Sequence, residues 1–367
     1  MRVIISGGGT GGHVFPAIAI ADAIKKQEPE ANILFVGAEG KLEMEKVPKA
    51  GYSIVGLPIR GFHRKLTFRN LMFPFKLLSS MMKARKVIRD FKPDVAVGVG
   101  GYASGPVLYV ASSKKIPTLV QEQNSYAGVT NKLLAKKVNK ICVAYDGMDK
   151  FFPKEKILFT GNPVRREIFE NDITTSGAKA KLRLVGNKKT ILIFGGSLGA
   201  RALNESIEAG AKLLSEHSEI NFIWQVGKLY YEEYKISEVA KLPNVTVLPF
   251  IEDMASAYKA ADLVVCRAGA LTISELSLVV KAAILVPSPN VAEDHQTKNA
   301  MALVEKGAAM MVRDSEGKEK LVKTMLELIN DEAKCVELRN NIEHFGRPDA
   351  AKIIAQEVLK IGEIGKI

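Results

Sequence analysis

The feature that most restricts the fold of this chain is a recurring pair: a short β-rich apolar run, then a helical pattern. In the first half the runs fall near Val3–Ser6, Ile33–Val36, Asp94–Val99, Thr118–Gln121, Lys140–Val143 and Ile157–Thr160. In the second they fall near Thr190–Phe194, Asn221–Gln225, Val245–Leu248, Asp262–Val265, Ala283–Val286 and Ala309–Val312. Most of these runs are continuously apolar rather than alternating, as strands buried on both faces are. Separated by helices, they predict parallel sheets covered on both sides. At 367 residues the chain is too long for one ordinary domain and right for two. The predicted fold class is therefore α/β, with two doubly wound parallel-sheet domains. A boundary is expected after Gly161-Asn162-Pro163, because Asp172 to Lys189 is polar and carries no strand pattern. The tail from about Gly346 holds Pro348 and then a helical pattern of Ile353, Ile354, Val358 and Leu359.

Composition removes several classes. The apolar fraction is 47% and the charged fraction 25%, enough for a core without staples. Cys142, Cys266 and Cys335 match no metal-ligand spacing and read as reduced thiols. The N-terminus offers only Val3-Ile4-Ile5 before glycines, too short for a secretory signal, and no apolar run approaches the roughly 20 residues of a membrane span. The expectation is a protein neither secreted nor transmembrane. A net charge of +12 favours an anionic partner: nucleic acid, a membrane surface or a phosphorylated substrate.

Both halves open with a strand, a glycine loop and a helix. The first loop is Gly7-Gly8-Gly9-Thr10-Gly11-Gly12-His13, with Pro16 expected in the first turn of a helix over Ala17–Lys26. Glycines let backbone approach a ligand, and a helix start offers N–H groups to an anion. The loop fits the dinucleotide fingerprint G-x-G-x-x-G, but the acidic residue wanted after the second strand is only Glu39, late in position. No Walker-type loop exists. His13 reads as a general base or ligand contact, or as a histidine bonded to its own loop. A second cluster, Gly98–Pro106, again ends a strand.

The second half opens Gly195-Gly196-Ser197-Leu198-Gly199-Ala200-Arg201. Ser197 reads as a phosphate donor or a helix N-cap. Arg267-Ala268-Gly269-Ala270 is another turn into a helix, on which Glu275 reads either as a ribose-hydroxyl acceptor or as a charge complementing the helix start. His295 and Gln296 follow a polar loop and suit sugar hydroxyls. There is no D-x-D motif and no Cys/His cluster, so the diphosphate is expected to meet helix dipoles, backbone N–H groups and Arg165 or Arg267, without a metal or other cofactor.

Taken together, these blocks resemble the MurG family, bacterial UDP-N-acetylglucosamine transferases that complete lipid II from lipid I. The matching stretches are Gly7–Ala17, Gly98–Pro106, Glu122–Lys132, Thr160–Arg165, Gly195–Asn204, Pro249–Met254, Arg267–Glu275 and Asp294–Ala300, in the family's order over most of the chain. The resemblance implies a GT-B fold, two Rossmann-like domains facing a cleft. Residues 1–163 with a tail helix over about 346–367 would form an acceptor- and membrane-binding domain, and residues 164–345 a UDP-GlcNAc-binding domain. It implies uracil contact through the Ile251 backbone beside Phe250, ribose contact by Glu275, and diphosphate contact by Ser197 and the Arg267–Ala270 turn. His295 and Gln296 would read the sugar. The implied donor set further includes Thr10, Gly11, Gly12, Asn124, Arg165, Asn204, Leu271 and Thr272. Thr10, His13, Gly101 and Tyr102 would hold the acceptor diphosphate, and His13 would act as the base of an inverting transfer.

The implied partners are UDP-GlcNAc, lipid I, other cell-wall synthesis and division proteins, and an anionic membrane at its cytoplasmic face, with no nucleic acid. The segment Arg60–Lys86, basic with interleaved Phe, Leu and Met, reads as the anchor or as a buried helix with snorkelling lysines. Rival readings are a GT-B UDP-GlcNAc 2-epimerase and an NAD-dependent oxidoreductase. Two departures from the family pattern stand out: Val279-Val280-Lys281 replaces a Gly-x-Pro turn, and His295 stands where some members carry Gln.

Overall fold

The structure is a computed structural model that describes residues 1–59, 73–184, 186–291 and 294–364. The chain forms two compact units, one from Met1–Arg165 together with the chain from Arg347 onward, the other from Arg166–Gly346. Each unit holds one parallel sheet.

In the first unit the strands are β1 (Arg2–Ser6), β2 (Asn32–Ala38), β3 (Ser53–Leu57), β4 (Val95–Gly98), β5 (Thr118–Glu122), β6 (Lys140–Val143) and β7 (Ile157–Phe159). Their order across the sheet is β3-β2-β1-β4-β5-β6-β7. Neighbouring residues of a strand serve different cores, which is why the runs are apolar throughout. Val3 and Ile5 join Val14, Ile18 and Ile24 of the Gly11–Gln27 helix, along with Ile354 and Val358 of the Ala350–Ile364 helix. Ile4 joins Ala84 and Ile88 of the Phe73–Phe91 helix and Val107 and Leu108 of the Ser104–Ser113 helix. The tail helix is thus part of the first unit's core.

The second unit carries β8 (Lys189–Phe194), β9 (Ile220–Gln225), β10 (Val245–Leu248), β11 (Leu263–Cys266), β12 (Ala282–Leu285) and β13 (Met310–Met311), ordered β10-β9-β8-β11-β12-β13. Ile191, Ile193, Phe222 and Trp224 pack beneath the Arg201–Ala209 and Gly317–Asn330 helices, while Leu192 and Val264 are fully buried on the other face. Cys142, Cys266 and Cys335 are buried free thiols.

Two local readings need correction, and one departure acquires a backbone cost. The edge strand β3 was not anticipated: it is five residues long, carries Gly56 and is only half covered. The first helix starts at Gly11 rather than Ala17, so Pro16 lies inside it and cannot supply the N–H that would reach the Gly12 carbonyl. The departure at Val280 does fall in a turn, and a strained one. Val280 ends the Ala270–Val279 helix at φ 51° and ψ 57°, the left-handed conformation that β-branched residues avoid.

Left-handed backbone costs an L-residue roughly 1–2 kcal/mol, against an entropic cost of about 0.5–1 kcal/mol for glycine. Val280→Gly should therefore stabilise the second unit by about 0.5–1 kcal/mol. Scanning calorimetry should show its Tm rising by about 2–4 °C per kcal/mol gained; a lowered Tm would contradict the strain.

Candidate active site

Parallel strands place all their carboxyl ends on one edge of a sheet, and ligands of such sheets bind where the strand order reverses. In the second unit that reversal lies between β8 and β11. The loop after β8 carries Ser197 and the loop after β11 carries Arg267–Ala270, so the two turns flank the switch point. Buried side chains hold these turns. Asn204 is fully buried; its amide nitrogen donates to the Val226 carbonyl at 2.9 Å and its oxygen accepts from Trp224 Nε1 at 3.2 Å. Gln225 Nε2 reaches the Gly196 and Pro249 carbonyls, at 3.2 and 3.3 Å, tying the β8 loop to the β10 loop. Beyond β10, Ile251 is buried, and Asp253 caps the Met254–Ala260 helix by accepting from Ser256 N at 2.9 Å. Burial alone would raise the Asp253 carboxyl; the hydrogen bonds from Lys181 and Ser256 outweigh it and hold the group at about 2.

The Ala270–Val279 helix opens at Gly269 with no side-chain cap, so its first N–H groups face the switch point. Ala270 and Leu271 are buried and Thr272 is half-buried. Glu275 lies in the second turn, where the helix dipole has faded, and its Oε2 accepts from the buried Tyr258 hydroxyl at 2.9 Å. The Tyr258 hydroxyl thus fixes the orientation of the Glu275 carboxylate. The His295–Val304 helix follows β12; Gln296 Oε1 accepts from Ser288 N at 2.8 Å, leaving its amide N–H₂ group directed by that bond, and His295 is half-buried.

The first unit repeats the plan. Its order reverses between β1 and β4, and the Gly7–Gly12 and Gly98–Ala103 turns meet there. The approach is so close that a Cβ on Gly101 would sit 2.3 Å from the Gly8 carbonyl oxygen. His13 lies between the turns: its Nδ1 is 3.1 Å from Gly8 O and 3.4 Å from Thr10 Oγ1, and a Cβ on Gly100 would come within 2.8 Å of its ring. Thr10, the helix N-cap residue, and Tyr102 are exposed, while Gly11 and Gly12 form the first helical residues. Beyond β5, the buried Glu122 carboxylate organises the next loop. It accepts from Asn124 N at 3.1 Å, Asn124 Nδ2 at 3.3 Å, Gly128 N at 2.9 Å and Asn131 Nδ2 at 2.8 Å.

Known proteins match this chain over nearly its whole length. Models of the glycosyltransferase family 28 N-terminal and C-terminal domains match residues 3–143 and 190–354. The chain belongs to glycosyltransferase family 28. Within the family it is 56% identical over 365 residues to a Bacteroides fragilis protein named UDP-N-acetylglucosamine–N-acetylmuramyl-(pentapeptide) pyrophosphoryl-undecaprenol N-acetylglucosamine transferase, covering 99% of this chain and 96% of that one. A Flavobacterium psychrophilum protein of the same name is 52% identical over 366 residues, covering 100% and 99%. The crystal structure of Acinetobacter baumannii MurG superposes with a TM-score of 0.76 at 31% identity, over 98% of this chain and 99% of that one. A Neisseria meningitidis UDP-GlcNAc 2-epimerase shares the fold, with a TM-score of 0.71 over 98% of this chain and 100% of that one, at only 16% identity.

For four of the expected site residues the structure shows where the side chain sits or what it already contacts. Asn204 faces inward, its amide bonded to the Val226 carbonyl and to Trp224 Nε1, so it braces the loop after β9. Arg267 is not a spare cation: it forms an ion pair with Asp314 at 2.5 Å and donates to the Val286 carbonyl at 3.0 Å. Arg165 lies 4.6 Å over the Phe15 ring in the first unit. Ser197 is not a helix cap, because the N-cap position is Ala200. Glu39, the candidate for a dinucleotide ribose, pairs with Lys83 at 2.8 Å. Glu43, Tyr258 and Asp314 were missed. For Glu43 a signal existed, since it shares a helix face with buried Val47 four residues on.

Asn204→Ala removes both hydrogen bonds and leaves the Trp224 indole and the Val226 carbonyl buried without partners. At about 1–3 kcal/mol for an unsatisfied buried group, the variant should lose at least that much stability in urea unfolding. An unchanged midpoint would show that the amide does not brace the loop.

Proposed function

We propose that this chain transfers N-acetylglucosamine from UDP-GlcNAc to the C4 hydroxyl of N-acetylmuramic acid in undecaprenyl-diphospho-MurNAc-pentapeptide (lipid I), giving lipid II and UDP with inversion. The observation that carries this reading is the full-length identity of 56% to a transferase named for that reaction. The motif residues at both switch points support it. The second unit is assigned the donor. Glu275, held by Tyr258, takes ribose hydroxyls; Ile251 offers backbone to the uracil beside Phe250; Ser197 and the open start of the Ala270–Val279 helix take the diphosphate. Gln296 and His295 read the sugar. Arg267, neutralised by Asp314, shapes the turn and is not the main counter-charge.

The first unit is assigned the acceptor. The Gly8 carbonyl can only accept, so the His13 ring carries its proton on Nδ1 and its lone pair on Nε2. Nε2 takes the C4 hydroxyl proton as that oxygen bonds to the anomeric carbon. The bond from the anomeric carbon to the UDP oxygen breaks, and UDP leaves with the negative charge on its diphosphate.

The acceptor is a lipid, and among the described residues no helix is long and apolar enough to cross a membrane. We assign docking to the Phe73–Phe91 helix. Part of the expected anchor, residues 60–72, lies outside the described residues. On this helix Phe75, Leu78 and Met82 are exposed on one face while Ser80, Ala84 and Ile88 are buried on another. The buried face fits a packed helix, and the exposed apolar face with its lysines suits an anionic leaflet at the cytoplasmic side.

The decisive assay gives labelled UDP-GlcNAc to the protein in vesicles with and without lipid I. Label should reach the lipid only when lipid I is present, fall by about 10²–10⁴-fold in His13→Ala, and fall in Phe75→Asp with vesicles but not with a short-chain acceptor in detergent. Epimerisation without lipid would sink the transferase reading; full turnover in His13→Ala would remove the base; equal losses in vesicles and detergent would remove the docking face.

A further inference from the structure

The Gly8–Gly9 peptide unit is bonded at both ends. Its N–H donates to Glu43 Oε2 at 2.8 Å, and its carbonyl lies 3.1 Å from His13 Nδ1. The other carboxylate oxygen, Glu43 Oε1, accepts from Ala38 N at 2.9 Å. Glu43 is 1% exposed and forms no ion pair among the described residues. Two backbone N–H groups are its compensation for leaving water, a costly arrangement for a carboxylate without a cation.

The glycines beside it make room for the carboxylate. Gly8 sits at φ +152°, and a Cβ there would lie 2.1 Å from Glu43 Oε1; a Cβ on Gly37 would lie 2.4 Å from Glu43 Cγ. The Gly9 N–H points at a protein carboxylate, so it is not available to a phosphate. In this part of the loop the glycines serve Glu43.

From this geometry we propose that Glu43 is a positioning residue for His13, acting through the intervening peptide. This rests on the reading of His13 as the base. A carboxylate accepting the N–H of a peptide strengthens its carbonyl as an acceptor, because linked hydrogen bonds polarise one another. That carbonyl then fixes the His13 proton on Nδ1 and leaves the lone pair on Nε2. The order carboxylate, peptide, imidazole does what a carboxylate bonded directly to a histidine does in a hydrolytic triad: it sets tautomer and orientation and steadies the imidazolium. Glu43 keeps its own charge throughout. When Nε2 takes the acceptor proton, both ring nitrogens carry hydrogen, and the positive charge faces Glu43 across one peptide unit. Glu43→Gln would offer the two N–H groups one oxygen and one N–H₂, and so must lose at least one bond.

The test combines heteronuclear NMR of labelled histidine with steady-state kinetics on the full chain. The protein has five histidines, and His13 is assigned with His13→Ala. The wild type without substrates should show His13 mainly as the Nδ1–H tautomer, and Glu43→Gln should shift that ratio several-fold toward Nε2–H. The variant's kcat should fall about 10-fold or more, a fraction of what a positioned base contributes, with KM for UDP-GlcNAc and affinity for UDP within about two-fold of wild type. A wild-type Nε2–H tautomer, or a folded Glu43→Gln with unchanged tautomer and kcat, would overturn the proposal. Should Glu43→Gln not fold, the wild-type tautomer decides. If the tautomer responds as expected while His13→Ala retains turnover, the positioning stands and the base reading fails.

Discussion

A parallel strand buried on both faces must pass its chain to a helix at its carboxyl end, and the peptide groups of that turn need partners. Most of what is specific to this chain follows from how those partners are chosen. Where a buried side chain takes them, the turn becomes rigid. Asn204 holds the loop after β9, Glu122 holds the loop after β5 and Glu43 holds the first glycine loop. At Gly269 no side chain caps the helix that follows, and helix starts of that kind suit an anion.

The same plan thus yields two chemically different edges. In the second unit, the turns after β8 and β11 border an uncapped helix start and a carboxylate aimed by Tyr258, a combination suited to a diphosphate and a ribose. In the first, a buried carboxylate already occupies the Gly9 N–H, and a histidine fills the space between two glycine turns. The loop that matches a dinucleotide fingerprint is the one less able to cradle a phosphate at Gly9. Of its fingerprint glycines, Gly7 lies against the Gly98–Ala103 turn, while the glycine that makes room for Glu43 is Gly8, between two of them.

The architecture was legible because its periodicities are strong. Residues such as Val3, Ile4 and Ile5 are apolar in succession, which only a doubly covered strand explains. The strand β3 was not legible, since a half-covered edge strand containing Gly56 has no such constraint. At the site, residue types at the loops could be read, but not which polar groups were already engaged. Asn204 and Arg267 look in sequence like ligand contacts; their partners Trp224, Val226, Val286 and Asp314 come from elsewhere in the fold. The role of Glu43 as an acceptor depends on Gly9, 34 residues away, which no local pattern reveals.

The central claim is that the nucleotide belongs to the second unit and the base to the first. Hydrogen exchange of the full chain with and without UDP tests it most directly. Protection is expected in residues 195–200, 249–252 and 267–276, with residues 7–13 unchanged. Protection centred on 7–13, with the second unit indifferent to UDP, would contradict it.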